Sequence, residues 1–450
     1  MNVVIIGGGP GGYVAALRGA QLGLNVTLIE DDKVGGVCLN RGCIPTKALL
    51  SASEKLVDIK SPNDFGIEVG DYKIDINKIF NRKDQVVNQL VKGVEYLLST
   101  RGVKLVKGKA RLVSQREVQI STGEIISGDV IIIATGSLPI TSIGNLKIDN
   151  DRVISSDYAL STPYIPGEIV IIGAGAIGVE FATFYKDMGA DVSIVEMMSR
   201  VVPNEDEEIS KTLERVLKRK GIKLYLNNTV KEITEDGVIL ESGELLRAEK
   251  VLVAVGRKPN TDGLGLENAG IKTNNRGYIE VDEYLKTNVP NIYAIGDVTG
   301  IALFAHLASH QGIIAIENIL GKKKSIDYNA VPRATFCEPQ IGSVGLTEGQ
   351  ARANGINPVI GRFPFRALGY ALAIGKWEGM VKLIADESKE LIGAHIIGPY
   401  ASNLLGEVTL AVKEKMRLED IAETIHAHPT LPEAIMEASF SGLNLPLHIV

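Results

Sequence analysis

The chain has 450 residues, 45% of them hydrophobic, with a formal net charge of −6 and three cysteines. That length exceeds one ordinary domain and suggests two to four, with material for large cores. The acidic balance argues against a nucleic-acid partner, no apolar run approaches the roughly 18–20 residues that span a bilayer, and three cysteines cannot staple a secreted disulfide scaffold.

Met1 leads straight into an apolar strand, Val3-Val4-Ile5-Ile6. No charged segment or cleavage site fits before it, so a cytoplasmic protein is expected. The strand runs into Gly7-x-Gly9-x-x-Gly12, an apolar helix follows, and Val26-Thr27-Leu28-Ile29 ends in Glu30. In such a unit the first glycine makes a tight turn, the second admits a pyrophosphate, and the third lets helix and strand pack closely. The phosphates then meet the unpaired N–H groups at the helix N-terminus, and Glu30 can accept from a ribose hydroxyl.

Directly afterwards comes GGVCLNRGCIPTK, with Cys38 and Cys43 five positions apart. A close thiol pair can cycle between dithiol and disulfide, and a cytosolic disulfide is usually catalytic or redox-sensing. Five residues of regular α-helix separate Cα atoms by roughly 8–9 Å, whereas a disulfide needs about 7 Å or less. A helix carrying both must therefore be tightened or broken between them, and Gly42 and Pro45 permit this. No second cysteine pair or Cys/His cluster completes a zinc site, so no metal is expected.

Residues 130–136, VIIIATG, form a strand closing this first segment at Gly136. The pattern then repeats: Ile169-Val170-Ile171-Ile172, Gly173-x-Gly175-x-x-Gly178, a helix, and Val192-Ser193-Ile194-Val195 ending in Glu196. The spacing from first glycine to terminal acid matches that of the first unit, and the duplication carries far more weight than a lone glycine motif. Two units imply two nucleotides. A flavin (FAD) suits the first, beside the thiols, because flavins exchange electrons with both thiols and nicotinamides. The second suits the nicotinamide nucleotide. Glu196 repels a 2′-phosphate and favours NAD over NADP, with Arg200 the one nearby residue that argues the other way.

The acidic run Glu205 to Glu208 reads as the exposed start of a helix. Residues 251–257, VLVAVGR, close the nicotinamide unit at Gly256, and TNVPNIYAIGD is a strand ending at Asp297, an acid placed to bond a flavin ribityl chain. Ala305, shortly after, is assigned to the same flavin site. Lys322 to Lys324 read as a solvated loop. From about residue 331 the pattern alternates, with strands expected at 380–386 and 391–398 and helices around 401–415 and 418–425. Cys337 is expected in a core.

Taken together, GGGPGG, GGVCLNRGCIPTK, ATG, GAGAIGVE, GRKPN, IYAIGD and HAHPTLPEA, in this order from residue 7 to residue 434, resemble the flavin-dependent pyridine nucleotide–disulfide oxidoreductases (class I), and within them the dihydrolipoamide dehydrogenase branch. The resemblance implies an α/β fold of two Rossmann-like dinucleotide-binding domains, one inserted in the other, plus a C-terminal α+β dimerisation domain. The segments would be 1–145 and 263–330 for FAD, 146–262 for NAD and 331–450 for the interface of a homodimer. It also implies roles. Cys43 would lie beside the flavin and Cys38 would exchange with substrate. Lys47 would sit near the flavin and pair with Glu180. His428 would be the acid/base, oriented by Glu433 and acting in the opposite subunit's site. His426 reads as structural.

The implied substrate is the dihydrolipoyl group of a 2-oxoacid dehydrogenase or glycine-cleavage lipoyl domain. Residues IPTK at 44–47, and Ala434 after Glu433, separate the chain from the glutathione-reducing branch. The C-terminal LNLPLHIV lacks the cysteine pair of mercuric and selenocysteine/cysteine-tailed thioredoxin reductases. Val37 departs from the Thr often found before the first cysteine. An NAD(P)H-dependent reductase of another small disulfide, or a structural flavoprotein subunit of a multienzyme complex, would share much of this pattern.

Overall fold

The computed structural model describes residues 1–143 and 146–450, so the boundary expected at residue 145 lies outside the described residues. Two five-stranded parallel sheets carry the two fingerprints. In the first, the strand order is Ile292–Ala294, Val130–Ile133, Asn2–Ile6, Asn25–Glu30, Lys104–Lys107. In the second it is Val153–Ile154, Lys250–Val253, Glu168–Ile172, Asp191–Glu196, Lys223–Leu226. The fingerprint strand is central in both, and its four apolar residues are buried in each sheet. Near-continuous apolar runs are what a parallel sheet covered on both faces requires.

The duplication extends beyond the fingerprints. Each sheet is accompanied by a three-stranded antiparallel meander, Ala110–Leu112 with Glu117–Ile120 and Ile125–Ser127, and Val230–Ile233 with Gly237–Leu240 and Leu245–Arg247. The two halves are joined by a short antiparallel pair, Ser137–Pro139 with Arg257–Pro259.

The third sheet is antiparallel, in the order Arg333–Thr335, Gln340–Gly345, Leu391–Gly398, Met380–Ala385, Val359–Pro364. Helices Ala401–Lys413 and Glu433–Gly442 pack on it. The expected strands and the first of the expected helices lie within one or two residues of their predicted ranges; the second is shorter, Leu418–Ala422. Cys337 is buried, and its thiol donates to the Pro339 carbonyl at 3.2 Å, as a core residue would.

One expectation fails. The helix after the acidic run does begin there, at Glu207, with Asp206 as its N-cap accepting from the Glu208 amide at 3.0 Å. Glu205 and Asp206 are buried rather than exposed, however, at 6% and 1%. They face cations from the third sheet, and a buried carboxylate persists only with such partners.

Among the described residues no helix is long and apolar enough to cross a membrane.

Candidate active site and nucleotide cradles

The two cysteines sit on different helices. Cys38 lies in Gly36–Arg41, and Cys43 opens Cys43–Lys60. Gly42 between them has φ −147°, ψ −110°, and a Cβ there would press on the Val37 carbonyl oxygen at 3.0 Å. The break that a five-residue thiol pair demands is therefore present, at the glycine. Pro45 falls in the first turn of the new helix, where its missing N–H has no intrahelical partner to lose.

The thiols are unequal. The Cys38 thiol hydrogen-bonds Cys43 and, against burial and with help from the Lys47 ammonium, holds the Cys43 thiol down at about 7. The same bond, with burial and the Cys43 charge, pushes Cys38 well above the ordinary thiol value. Cys43 also occupies a helix N-terminus, where the dipole favours an anion. Both directions favour Cys43 as the more acidic of the two thiols.

Lys47 lies one helical turn after Cys43, on the same face. Its ammonium sits 2.9 and 3.0 Å from the two oxygens of buried Glu180 and 4.5 Å from the centre of the Phe336 ring. Glu180 Oε1 also accepts from the Phe336 amide at 2.8 Å. One carboxylate on the second fingerprint's helix therefore ties Lys47 to the start of the third sheet. Lys47→Met removes a charge that favours the Cys43 thiolate. Alkylation of the reduced protein by iodoacetamide at pH 7 is expected to slow roughly three- to tenfold, with its pH midpoint moving above 7.

His428 and Glu433 form a dyad, with Nδ1 2.8 Å from Oε1. Glu433 is the first residue of its helix and accepts from the Thr430 amide at 2.7 Å. Burial opposes its ionisation, but that bond and His428 outweigh it and keep the carboxyl below its ordinary value. The imidazole is 80% exposed. No hydrogen bond or ion pair joins the dyad to Cys38 or Cys43 within the described chain. His426 is instead fixed between the Thr424 carbonyl and Glu407, both at 2.8 Å, which suits a structural role.

In both fingerprints the third glycine is sterically compelled. A Cβ on Gly12 would lie 1.8 Å from the Gly7 carbonyl oxygen, and one on Gly178 1.9 Å from that of Gly173. The helices that follow, Pro10–Gln21 and Ala176–Asp187, have Gly9 and Gly175 at the N-cap and so no side-chain cap. Nothing stands within 4 Å of a Cβ placed on Gly175. Open, uncapped amides at a helix N-terminus are what a pyrophosphate needs, so the residues present fit two dinucleotides.

Glu30 accepts from the amides of Gly8 and Asp32 at 2.6 and 2.9 Å, and Glu196 from those of Ala174 and Met198 at 2.7 and 2.8 Å. Beyond the ribose contact expected from sequence, each carboxylate braces its own fingerprint turn. Arg200 is held by the carbonyls of Pro203 and Glu205 at 2.7 and 3.3 Å. That pairing weakens the one sequence argument for a 2′-phosphate.

At the flavin-side acid, two residues missed by the motif reading appear. The Ser137 hydroxyl donates to Asp297 at 2.5 Å, and Arg257 donates to both the hydroxyl and the carbonyl of Ser137 at 2.7 Å. Burial raises the Asp297 carboxyl, while Ser137 and Arg257 oppose the rise. The available signal was the GRKPN run, whose arginine has no obvious partner in the sequence. Gly136 and Gly256 precede the paired segments 137–139 and 257–259, both at positive φ. Ala305 opens the helix Ala305–Ile319, again without a side-chain cap.

Residues 1–312 match the pyridine nucleotide-disulphide oxidoreductase family, and residues 331–439 match its dimerisation domain. Among curated relatives, the dihydrolipoyl dehydrogenases of Geobacillus stearothermophilus and Chlamydia muridarum are 44% and 42% identical to the chain. Both cover 100% of it, and the chain covers 97% and 98% of them. Among solved structures, LpdA of Mycobacterium tuberculosis superposes with a TM-score of 0.91 at 27% identity, over 98% of this chain and 99% of that one. The HOCl-induced flavoprotein disulfide reductase RclA of Escherichia coli gives 0.86 at 29%, over 97% and 98%. The thiol pair beside one cradle and the duplicate cradle behind it thus have a common explanation: the chain belongs to the pyridine nucleotide–disulphide oxidoreductase family, as a flavoprotein oxidoreductase that uses FAD and NAD.

Proposed function

We propose that the protein oxidises protein-bound dihydrolipoyl groups to the lipoyl disulfide, with NAD+ as acceptor. The observation that carries this reading is the geometry of the thiol pair: Cys38 and Cys43 stand on two helices broken at Gly42, and Cys43 opens the second, with Lys47 one turn further on. With Cys38 and Cys43 joined as a disulfide, a substrate thiolate attacks one sulfur and the other leaves. The lower-pKa thiol leaves faster, so attack falls on Cys38 and Cys43 departs as thiolate. The second substrate sulfur then displaces Cys38, closing the product disulfide, and the substrate's electron pair now resides in the enzyme dithiol. Cys38, with its raised pKa, takes a proton. His428, held by Glu433, removes protons from the substrate thiols. FAD supplies the path by which that pair reaches NAD+.

His428 would serve the partner's thiol pair in a homodimer, which agrees with its exposure and with the dimerisation match. The partners would be lipoyl domains of 2-oxoacid dehydrogenase or glycine-cleavage complexes. Segments 1–145 and 263–330 would hold FAD, 146–262 NAD, and 331–450 the interface.

The test is anaerobic turnover of FAD-loaded protein with dihydrolipoamide and either NAD+ or NADP+. NAD+ reduction at least roughly tenfold more efficient than NADP+ reduction is expected, because Glu196 would face the added phosphate at close range. A flavin reduced by NADH but not by dihydrolipoamide would move the substrate to another small disulfide. Stable co-purification with a multienzyme core without any dithiol turnover would favour a structural subunit.

A further inference from the structure

The buried start of the helix Glu207–Arg219 is one end of an ion cluster that the reaction chemistry does not use. Lys382, on the third sheet, is 1% exposed. Its ammonium meets three carboxylates, Asp206 at 2.9 Å, Glu208 at 2.7 Å and Glu348 at 2.8 Å. Arg362 adds a second cation on Glu208 at 2.6 Å. The Glu348 amide donates to Asp206 at 3.1 Å. One residue earlier, Glu205 accepts from the Ser343 hydroxyl and lies 3.5 Å from Arg333. Glu205, Asp206 and Glu208 belong to the second unit, and the remaining residues are on strands of the third sheet or, for Glu348, open the helix Glu348–Ala353 between two of those strands. The bond between the two units is therefore ionic, buried and specific in geometry.

That bond leads directly to the second cradle. Glu205 donates its amide to the Val202 carbonyl at 2.9 Å, and Val202 donates its own to the Ala174 carbonyl at 2.8 Å. Ala174 stands between Gly173 and Gly175, and its amide is already held by Glu196 at 2.7 Å. The peptide groups of this fingerprint residue are thus fixed on both sides. The first unit makes the matching bond from Gly35 to the carbonyl of Gly8, the counterpart of Ala174, at 2.8 Å. There the donor is a glycine at φ +96°; here it is a buried valine at φ +39°. A β-branched residue at positive φ is strained, and such strain persists only where the surroundings over-determine it. The ion cluster supplies that determination.

We infer that Lys382 is a positioning residue for the nicotinamide nucleotide: through Asp206, Glu205 and the strained turn at Val202 it holds Ala174, and with it the phosphate cradle of the second unit. This rests on the reading of that unit as the NAD site. Lys382→Met keeps the apolar stem and removes the charge, so Asp206 loses its ammonium partner while Arg362 still holds Glu208.

The experiment is calorimetric titration of oxidised, FAD-loaded protein with NAD+, with flavin content and the rate of flavin reduction by dihydrolipoamide measured on the same preparations. The variant is expected to bind NAD+ about tenfold more weakly, as a displacement of a fraction of an ångström at a site can do. Its flavin content and dithiol half-reaction should match those of the unsubstituted protein. An unchanged affinity for NAD+ in Lys382→Met would overturn the inference and leave the cluster as a domain bond alone. If Lys382→Met does not fold, Glu205→Gln decides: weaker NAD+ binding with normal flavin content supports the link, and unchanged binding overturns it. Failure of dihydrolipoamide to reduce the unsubstituted protein would count against the proposed substrate, and the NAD+ comparison would still stand.

Discussion

Cys38→Ser is expected to lower dihydrolipoamide-dependent NAD+ reduction by roughly 10³-fold or more, the scale on which removal of a reacting nucleophile acts. A serine oxygen cannot form the mixed disulfide with the substrate, so the electron pair has no entry. The loss should be confined to that half of the reaction. Cys38 is only partly buried and caps no helix, and neither fingerprint turn depends on it. FAD content and reduction of an artificial acceptor by NADH should therefore be retained. Serine keeps a hydroxyl donor beside Cys43, whereas Cys38→Ala removes the hydrogen bond that chiefly lowers the Cys43 pKa, so in Cys38→Ala the thiolate, titrated by alkylation, should form at higher pH than in the unsubstituted protein. A Cys38→Ser protein that still oxidises dihydrolipoamide at the original rate would end the proposed mechanism.

The second large effect is at His428. Replacement by Gln keeps a polar group near Glu433 but removes the base, and general-base catalysis is worth roughly 10²–10⁴-fold. The sign of the pH dependence follows from the thiols. A substrate thiol near the ordinary value, about 8.5, supplies little thiolate at pH 7 without a base. Raising the pH supplies that thiolate from solution. The deficit of His428→Gln should therefore be largest near pH 7 and shrink toward pH 9. Rate profiles of the two proteins from pH 6 to 10 would test this, and a deficit that stays constant over that range would assign His428 to substrate binding instead. The exposed imidazole makes a folding defect an unlooked-for outcome, since among the described residues its side-chain hydrogen-bond partner is Glu433 alone.

Much of this molecule is written in short stretches of chain. Strand, glycines, helix and acid are bound to one another by local sterics, so Gly12 and Gly178 announce two cradles before any packing is known. The break at Gly42 follows from the span of a disulfide against the pitch of a helix. The pairing of Lys47 with Glu180 was reached through the family resemblance, because nothing local shows that residues 133 apart in the chain meet; that of His428 with Glu433, only five apart, came from the same resemblance.

What stayed hidden has a common physical cause. The run Glu205 to Glu208 has the composition of a solvated helix start, yet two of its carboxylates are buried, because Arg333, Ser343 and Lys382 arrive from a sheet more than a hundred residues later. Ser137 and Arg257 look unremarkable until the short antiparallel pair brings them together at Asp297. A charge is read as exposed unless its counter-charge is visible, and the desolvation balance of a buried ion is set by groups that only the fold assembles. The sequence by itself therefore determined the two nucleotide units and the thiol couple, since each depends on backbone geometry within a few residues. The tertiary structure decided which carboxylates are buried and how the second cradle is held to the third sheet, since each depends on the field and contacts of distant side chains.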